Sequence, residues 1–486
     1  MAFPFLITDN KDVNTAYRLA TATLCANILL FKDGILQSEE PVIIAGLGYN
    51  TPWTRDAAIN TWNAGGLICP EISLNTLKSV LTPYKDGYRI GGEYWDAVIW
   101  VIGAWYQYLY TGDREFLSLA YSVTVNSLEY FEETEFDPEL NLFRGPACYG
   151  DGVSAYPDIY ADDVGSGIMA FATLHKDLCV EKGVGIPMFT LSTNCLYYCA
   201  YVLAEKMSVE LGCDNKKFSV CAKKMKDAIN RNFWSEEKQN YIYIFDDFGG
   251  SDRQESLGVS FAILFGIADE GKCEKIFKNQ HITSKGIPCV WPAFERYSSK
   301  GKSCYGRHCG TVWPHIQGFW ADAAARNGQK EIFDNEFKSQ TENAVRFNQF
   351  AEIYHPETGE IYGGIQEYGG LRKESRTGIA EWEALPYQTW SATAYLRNVY
   401  MNIAGMRFSE KGIRLEPIGS SLVSKISLCN VKYRDALLNI SVKGNGNNIA
   451  SFKFNGRETE NFIPCDIKGK NNIEIILNAR CKMKLK

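Results

Sequence analysis

The stretch from Tyr94 to Tyr110, YWDAVIWVIGAWYQYLY, is apolar and aromatic on nearly every side of a helical wheel. Gly165 to Leu174 has the same character. A helix that is apolar all round must be buried on every face. The chain therefore needs an outer layer of helices that covers an inner one.

Other segments show apolar residues at spacings of three and four, the pattern of an amphipathic helix. The first is the run Val13, Ala16, Tyr17, Ala20, Leu24 and Ile28. We predict helices over 13–28, 70–81, 94–111, 114–132, 163–181, 192–207, 218–229, 255–268, 311–327, 329–347 and 386–404. With the stretch after Asp56, this makes about a dozen helices before residue 405, without a clear series of strands. Antiparallel hairpins of inner and outer helices would close into a double-layered ring with its long loops at one end.

After about Gly412 the pattern changes to short β-type runs separated by turns. Strands are predicted at 413–415, 424–428, 437–442, 450–454 and 473–477, and the GNGNN turn between Val442 and Ile449 resembles a hairpin. The predicted division is a helical catalytic domain, 1–411, followed by a small β-sheet domain, 412–486.

Composition excludes several classes of function. A net charge of -6 and a pI near 5.6 provide no field that would attract nucleic acid or an anionic membrane. Five His and no CxxC pair leave little for a metal cage, so neither a metal nor a cofactor is expected. No apolar run reaches the roughly 18 residues of a membrane span. The 15 scattered Cys indicate a reducing, cytoplasmic setting, although a removed export signal would leave the same sequence. The oligomeric state stays open.

The segment EIYHPETG, 352–359, and the residues up to Glu367 lie between two predicted helices. Its Pro, Gly and Thr prevent regular structure, so acids and aromatic side chains gather on one loop, where catalytic residues are often found. Glu352 and Glu367 are both candidates for a general base. A loop of this composition is typical of a sugar site.

Two further segments combine acids with tryptophan. In WTRDAA, 53–58, Arg55 and Asp56 could form a local ion pair; alternatively, with Trp53, they could bind the vicinal hydroxyls of a sugar, which both donate and accept hydrogen bonds. In GGEYWD, 91–96, the acids could serve the helix dipole, or Trp95 and Asp96 could grip a sugar.

Asp151 lies between two glycines in YGDG, after Arg144 and beside Tyr149. It could belong to an ordinary glycine turn. It could also project into an aromatic cavity, which would raise the pKa of its carboxyl as a general acid requires. His308 and Trp313 in GRHCGTVWPH, and Gln388 and Trp390 in QTWSA, are predicted to line the same pocket.

These motifs together resemble the six-hairpin (α/α)6-barrel glycoside hydrolases, closest to the processing α-glucosidase family (family 63), with glucoamylase and trehalase as relatives. The segments that carry the resemblance are WTRDAA at 53–58, GTVWPHIQGFWADAAARNG at 310–328, EIYHPETG at 352–359 and QTWSATAYL at 388–396. Their order and approximate spacing agree over residues 10–405. The acid segment YGDGVSAYP departs from the usual GWDNSPR form.

The resemblance implies a mainly α (α/α)6 toroid with Asp151 as general acid and Glu352 as general base, while Arg55 and Asp56 hold the terminal sugar. Roughly twenty extra residues between Glu352 and Trp390 keep Glu367 as a rival base. The predicted function is an inverting, exo-acting glycosidase for an α-linked oligosaccharide. The alternatives are a phosphorylase, with Arg307, His308 and Arg372 as phosphate ligands, and a sugar-binding toroid without catalysis.

Overall fold

The computed structural model describes residues 3–162, 164–213, 216–301, 303–368 and 378–478. The α-helices are α1 (Lys11–Ala26), α2 (Thr54–Asn60), α3 (Gly66–Ile68), α4 (Pro70–Ser79), α5 (Ile99–Thr111), α6 (Arg114–Thr134), α7 (Asp158–Ala161), α8 (Met169–Leu174), α9 (Leu191–Leu211), α10 (Lys216–Phe233), α11 (Ser256–Leu264), α12 (Glu270–Asn279), α13 (Glu295–Ser298), α14 (Pro314–Arg326), α15 (Lys330–Phe347) and α16 (Thr389–Arg397). Among these residues, no helix combines the length and the apolar composition that crossing a membrane requires.

The strands before residue 405 are short: β1 (Phe5–Thr8), β2 (Ile28–Phe31), β3 (Glu40–Ile43), β4 (Leu81–Tyr84), β5 (Gly87–Ile90), β6 (Phe136–Asp137), β7 (Leu142–Phe143), β8 (Met188–Thr190), β9 (Trp234–Ser235), β10 (Asn240–Tyr241), β11 (Ile244–Asp246), β12 (Gln254–Glu255), β13 (Val290–Trp291), β14 (Ile365–Tyr368) and β15 (Gly378–Glu381). Those that follow are β16 (Met406–Ser409), β17 (Gly412–Leu415), β18 (Lys425–Tyr433), β19 (Ala436–Lys443), β20 (Ile449–Phe454), β21 (Arg457–Glu458), β22 (Phe462–Pro464) and β23 (Gly469–Leu477).

Six helices of the described chain contact one another in a closed cycle. Helix α2 contacts α5, α5 contacts α9, α9 contacts α11, α11 contacts α14, α14 contacts α16, and α16 returns to α2. Helices α1, α4, α6, α10 and α15 each pack against one or more members of this cycle. The inner helices are therefore covered by outer ones, as the apolar stretches of the sequence require.

Glycine brings neighbouring inner helices close together. A Cβ on Gly103 of α5 would lie 2.7 Å from the Cα of Ala58 in α2, and one on Gly318 of α14 would lie 2.8 Å from the Cβ of Ala394 in α16. These distances are too short for any side chain. Two of the six inner contacts therefore depend on glycine at the crossing point.

The sequence predicted the positions of several helices correctly and of one incorrectly. Helix α5 is buried along nearly its whole length, as predicted, although it begins at Ile99 and a turn precedes it. The helix predicted over 163–181 is wrong. Among the described residues the structure has only α8 there, and Gly165 adopts a left-handed φ of 88° that interrupts the segment. The prediction that Gly165 to Leu174 is buried on every face is also wrong, because Phe171 is the one buried residue of α8 and Met169 is exposed. Helix α12 was missed.

The C-terminal region is rich in strands, as predicted. A six-stranded sheet has the order β1-β18-β19-β23-β20-β21, and a three-stranded sheet has the order β16-β17-β22. The hairpin predicted across the GNGNN turn is wrong. Strand β23 inserts between β19 and β20, parallel to the first and antiparallel to the second, so the strands on either side of that turn do not pair with each other.

Two strands from outside residues 412–486 belong to these sheets. Strand β1 pairs with β18 from Phe5 to Thr8, and β16 pairs with β17. The side chain of Lys330 at the start of α15 also donates to the carbonyl of Asn445, at 2.7 Å. Strands from both ends of the helical region, β1 and β16, therefore belong to the sheets of the strand-rich region.

Candidate active site

Several predicted substrate-binding residues lie at or just before the N-terminal ends of inner helices. Arg55 and Asp56 are in the first turn of α2, Asp96 precedes α5, and Glu255 is the residue before α11. The predicted pocket residues Trp313, Gln388 and Trp390 lie at the starts of α14 and α16. Helix N-termini carry unsatisfied N–H groups and a partial positive charge, so this end of the ring favours carboxylates and hydroxyl ligands.

The turn that carries Asp151 is held by buried hydroxyl groups. The Oη atom of Tyr156 accepts from Ala147 N at 3.0 Å and donates to the carbonyl of Gly150. The Oγ atom of Ser192 accepts from Cys148 N at 3.0 Å, and Thr193 Oγ1 donates to Pro146 O at 2.6 Å. Side chains from α9 and from the segment after the turn therefore fix the backbone from which Asp151 projects.

Asp151 itself faces a histidine. Its Oδ1 atom lies 3.5 Å from His308 Nε2, and its side chain is 62% exposed. His308 is buried, and its Nδ1 atom lies 2.9 Å from Ser154 Oγ, which also donates to Gln366 Oε1 at 2.9 Å. This buried chain of hydrogen bonds fixes the orientation of the imidazole that Asp151 meets.

The second glycine of the GDG motif, Gly152, is required because its surroundings leave no room for a side chain. A Cβ at this position would lie 2.1 Å from Gln366 Oε1 and 2.7 Å from His308 Cε1. Both neighbours are buried and hydrogen-bonded, so neither can move aside cheaply. The residue after Asp151 must therefore lack a side chain for His308 to reach the carboxyl.

Glu352 is the second predicted catalytic carboxyl and is almost fully buried. Its Oε2 atom accepts from Arg307 Nη2 at 2.6 Å and from Leu385 N at 3.1 Å. Its backbone N–H donates to Leu385 O at 3.0 Å. Among the described residues, Oε1 has no hydrogen-bond partner. One oxygen of the carboxylate is therefore fixed, and the other remains available for a ligand or water.

Adjacent residues hold the two predicted catalytic carboxyls. Arg307 binds Glu352, and His308 contacts Asp151. The Trp313 indole stacks on the His308 ring with centroids 5.0 Å apart, and the Arg307 guanidinium lies 5.6 Å from the same indole. The dipeptide 307–308 therefore brings the two carboxyls, which are distant in sequence, to one place in the molecule.

The Arg55–Asp56 ion pair considered from the sequence is not what forms. Arg55 Nη1 instead binds Asp96 Oδ2 at 3.2 Å and the carbonyl of Cys148 at 2.7 Å. Adjacent residues on a helix point in different directions around its axis, so Arg55 and Asp56 do not face each other. Arg55 thus links α2 to the residue before α5 and to the turn that carries Asp151.

Burial changes the protonation of the surrounding acids. Burial raises the pKa of Asp56 to about 7, opposed by Arg55 and reinforced by the charges of Glu352 and Asp151. Burial likewise raises the pKa of Asp96 to about 8, although Arg55 opposes this, and it raises the pKa of Glu255 to about 8. These couplings place Asp56 within electrostatic range of both predicted catalytic carboxyls.

The pKa of Asp151 is shifted in the direction opposite to the one the sequence predicted. Burial raises the pKa of this carboxyl, but its contact with His308 and the positive charges of Arg55 and Arg307 outweigh burial and lower it. The prediction considered only an aromatic cavity that includes Tyr149. The cations come from distant segments and could not be placed from the local motif.

Several buried polar atoms at this end of the ring have no hydrogen-bond partner among the described residues. They include Arg55 Nε, Asp96 Oδ1, Trp95 Nε1, Tyr149 Oη, Gln388 Nε2, Trp390 Nε1 and both ring nitrogens of His315. The His315 ring stacks on Trp390 with centroids 4.1 Å apart. Buried polar atoms are normally paired with protein, water or ligand, so this group of donors and acceptors is suited to a molecule with many hydroxyls.

Glu367 and Arg144, two other predicted site residues, have their charged groups bound by other side chains. Both oxygens of Glu367 are occupied, Oε1 by Arg296 Nε at 3.0 Å and Oε2 by Tyr297 Oη at 2.6 Å. Arg144 pairs with Asp137 and lies 5.5 Å from the Phe189 ring. In the described part of the chain, neither Arg144 contact leads to the site. Arg372, considered as a phosphate ligand, lies outside the described residues.

The sequence missed Ser154, Glu255 and His315. Ser154 and His315 lie within or beside motifs that were recognised, but a serine and a second histidine carry no pattern that distinguishes them. Glu255 begins a helix that was predicted, and an acid at that position is usually attributed to the helix dipole. Its complete burial, which only the structure shows, distinguishes it from an ordinary acid at a helix start.

The fold and these carboxyls define a class, the glycoside hydrolases. The sequence profile of the mannosylglycerate hydrolase MGH1-like glycoside hydrolase domain matches residues 98–391. The chain belongs to this family, a six-hairpin glycosidase family of the family 63 type. No curated protein sequence matches the chain.

Solved structures share the fold. A structure described as a sialidase matches with a TM-score of 0.62 at 13% identity, over 89% of this chain and 37% of its own. The GH78 rhamnosidase of Bacillus sp. GL1 matches with a TM-score of 0.58 at 13% identity, over 99% of this chain and 44% of its own. The chain thus spans less than half the length of either structure.

A third structure is matched over its full length. The GH63 mannosylglycerate hydrolase from Thermus thermophilus, in complex with glucose, has a TM-score of 0.58 at 15% identity, over 79% of this chain and 100% of its own. At these identities the likeness establishes a common fold. Substrate and mechanism have to be argued from the residues of this chain.

Proposed function

We propose that this protein is an inverting, exo-acting glycosidase that hydrolyses an α-linked oligosaccharide, with Asp151 as general acid and Glu352 as general base. The observation that carries this proposal is the dipeptide Arg307–His308, whose two side chains hold the two carboxyls. Inverting glycosidases use two carboxyls roughly 6.5–9.5 Å apart, which leaves room for a water molecule.

We further propose that the closed cycle of six helices is an (α/α)6 barrel, with residues 1–411 as its catalytic domain and 412–486 as an attached β-sheet domain. The N-terminal ends of the inner helices would then surround the sugar. Strand β1 would be an extension of the catalytic domain that completes the sheet of the second domain.

In the proposed mechanism, Glu352 takes a proton from water through Oε1, the oxygen without a partner among the described residues. Arg307 and Leu385 hold Oε2 and so direct Oε1. The activated water attacks the anomeric carbon, and the glycosidic bond breaks on the opposite face. Asp151 protonates the leaving oxygen, so the sugar is released with inverted configuration.

Asp151 must carry a proton when the substrate is bound. The side chain of Asp151 is 62% exposed, and its pKa is lowered by His308, Arg55 and Arg307. A bound sugar would displace the water around this carboxyl. Desolvation disfavours the ionised form, so substrate binding raises the pKa in the direction that general acid catalysis needs.

Glu352 is better suited than Glu367 to act as the base, because one of its carboxylate oxygens has no hydrogen-bond partner among the described residues. Glu367 has both oxygens engaged, by Arg296 and Tyr297, and a base must offer a free lone pair to water. Glu367 instead ties β14 to α13. This keeps Gln366 on the same strand in contact with Ser154 and His308.

The terminal sugar would occupy the space among the unpaired polar atoms below the two carboxyls. Asp96 and Arg55 already contact each other, and Asp96 Oδ1 and Arg55 Nε remain to bond a sugar hydroxyl. Asp56, whose pKa is about 7, can accept or donate. Trp95 and Tyr149 are buried, and we expect them to form the floor of the sugar site and so to limit the enzyme to chain ends.

The test is a pair of isosteric variants with anomer-resolved NMR. Methyl and oligomeric α-glucosides and α-mannosides, with mannosylglycerate, form the substrate panel. Asp151→Asn and Glu352→Gln should each reduce kcat by about a thousandfold or more, because each removes a group that acts in the transition state. The first product should be the β-anomer. A fully active Glu352→Gln enzyme would disprove the assignment of the base.

Phosphorolysis is not favoured by the geometry. Arg307 is committed to Glu352 and to the carbonyls of Gly363 and Glu383, so it has little capacity left for phosphate. Product formation in phosphate-free buffer distinguishes hydrolysis from phosphorolysis. Turnover that requires added phosphate would replace the proposed water with phosphate.

A further inference from the structure

Four large apolar side chains stand exposed on segments that border the candidate site. They are Leu47, Trp53, Trp382 and Tyr387, with exposed fractions between 37% and 55%. We call them the mouth cluster. Single exposed apolar residues are common on soluble proteins, but a group of them beside a pocket marks a binding surface.

Backbone contacts place the first two beside the pocket residues. Gly46, which precedes Leu47, pairs with Gln388, and Thr389 N donates to Ala45 O at 2.8 Å. Trp53 is the residue before α2 and so precedes Arg55 by two positions. Leu47 and Trp53 therefore flank the entrance from the side of α2 and α16.

Trp382 lies on the segment that is joined to Glu352. Trp382 N donates to Gly364 O at 2.8 Å, and three residues later Leu385 bonds both the backbone and the carboxylate of Glu352. The Arg307 guanidinium also donates to the carbonyl of Glu383 at 3.0 Å. The indole of Trp382 therefore stands on the Glu352 side of the entrance.

Tyr387 adopts a backbone conformation that is unfavourable for its type. Its φ is 50°, in the left-handed region that bulky residues avoid. Its N–H donates to Gln349 Oε1 at 3.2 Å, and its carbonyl accepts from Asn27 Nδ2 at 2.7 Å. Bonds on both sides of the residue maintain this strain and keep the ring at the surface. Strained residues of this kind cluster at functional sites.

These observations order the site by depth. The unpaired polar atoms are buried, Glu352 is nearly buried, Asp151 is largely exposed and the mouth cluster is at the surface. In an exo-acting enzyme the terminal sugar is deepest, so the leaving group lies at the entrance.

We propose that the mouth cluster binds the leaving group of the substrate, and that this leaving group is a ring with an apolar face. This inference rests on the proposed function. Aromatic side chains bind flat apolar faces well, and a pyranose or cyclohexyl ring presents such a face. A methyl group or a short acyclic alcohol would leave most of the cluster uncovered.

The experiment compares leaving groups on the same sugar, and the methyl and cyclohexyl pair isolates the effect of the ring because the two alcohols have similar acidity. The probes are the methyl, cyclohexyl and 4-linked glucosyl α-glucosides, with the matching α-mannosides. For the accepted sugar, kcat/KM should be about tenfold higher with either ring than with methyl. Trp53→Ala and Tyr387→Asn should each reduce this ring preference severalfold. Asparagine is chosen because it tolerates the left-handed backbone.

Phe5→Ala is the matched control, since Phe5 is an exposed aromatic residue on β1, in the C-terminal sheet. It should retain the full ring preference. Equal kcat/KM for methyl and ring leaving groups, in an enzyme that loses turnover on Glu352→Gln, would overturn this inference and leave hydrolysis intact.

Binding provides the second measurement. Calorimetry on Glu352→Gln with the same glycosides should show the same tenfold order, even if none is turned over. Equal affinity for the three glycosides, or no binding of any, would overturn the inference. A ring preference that persists in both mouth variants would also overturn it, because the ring would then be bound elsewhere.

Discussion

Buried carboxyl groups are paired with cations at one end of the inner helices and are only partly paired at the other. At the C-terminal ends, Asp322 is completely buried and both of its oxygens are bound by Arg326, Arg397 and Arg407. At the N-terminal ends, Asp96 has one paired and one unpaired oxygen, and Asp56 and Glu255 are buried with raised pKa values. In the first arrangement both carboxylate oxygens are bound by cations, whereas in the second at least one buried oxygen, Asp96 Oδ1, has no partner among the described residues.

This difference shows where the molecule gains stability and where it is prepared for binding. The arginines lower the pKa of Asp322, opposing burial, so its charge stabilises the fold at neutral pH. At the other end, burial raises the pKa values of Asp56 and Asp96 and thereby lowers stability at neutral pH. Unfavourable groups of this kind are typical of functional sites, where binding compensates for them.

The largest expected effect is on stability, from Asp322→Asn. This change leaves Arg397, which is buried, without its carboxylate, and breaking a buried ion pair costs about 3–5 kcal/mol. Urea denaturation should show this loss. Glu342→Gln, which removes the exposed pair with Lys338, is the control and should cost less than about 1 kcal/mol. If Asp322→Asn lowered the free energy of unfolding by less than about 1 kcal/mol, the two ends of the inner helices would not differ in how buried charge contributes to stability.

Asp56→Asn should change the free energy of unfolding in the direction opposite to Asp322→Asn: it should stabilise the protein. A carboxyl whose pKa rises from 3.8 to about 7 on folding binds its proton more tightly in the folded state, so stability falls as pH rises between about 4 and 7. Asparagine removes this loss, and the variant should be more stable than the native protein at pH 8 by on the order of a few kcal/mol. Turnover should fall at the same time.

Denaturation at pH 4 and pH 8 measures both parts of this prediction. The advantage of Asp56→Asn should be present at pH 8 and nearly absent at pH 4, where the carboxyl is protonated. A variant that is less stable at both values would show that Asp56 contributes structurally, like Asp322.

His308→Asn should change the pH profile of the enzyme. The His308 contact lowers the pKa of Asp151, so its loss should raise that pKa. The alkaline limb of kcat, which reports loss of the proton from the general acid in the bound complex, should move to higher pH. A shift to lower pH would contradict the assignment of Asp151 as the acid.

The smallest effect is expected from Glu367→Gln. Its carboxylate is fully used by Arg296 and Tyr297, so the variant should weaken the attachment of β14 but keep turnover within about tenfold of the native value. Steady-state kinetics beside Glu352→Gln make the comparison. If Glu367→Gln lost turnover as completely as Glu352→Gln should, the choice between the two acids would be reversed.

Local patterns predicted part of this structure. Helices α1, α5, α9 and α15 lie close to their predicted positions because their periodicity reflects burial that local sequence already encodes. The long helix around α8 was wrong, since apolar composition alone did not account for Gly165. The GNGNN hairpin was wrong because turn residues permit a reversal but do not select the partner strand.

The candidate site was predicted unevenly. Asp151 and Glu352 are brought together by Arg307 and His308, and Trp313 contacts both of the latter. Arg144 instead pairs with Asp137. The role of each residue stays a prediction until the variants are measured. The direction of the Asp151 pKa shift was wrong because it depends on arginines from α2 and from the segment before α14.

The sequence alone determined most of the long helices, the burial of α5, and that the chain resembles six-hairpin glycosidases. These properties follow from residues a few positions apart, where apolar spacing and turn composition act locally. The tertiary structure decided which carboxyl meets which cation, which acids are protonated, and which oxygen of Glu352 is available. Those properties depend on distances between residues that are remote in the chain and on their burial, and electrostatic energies change steeply with both.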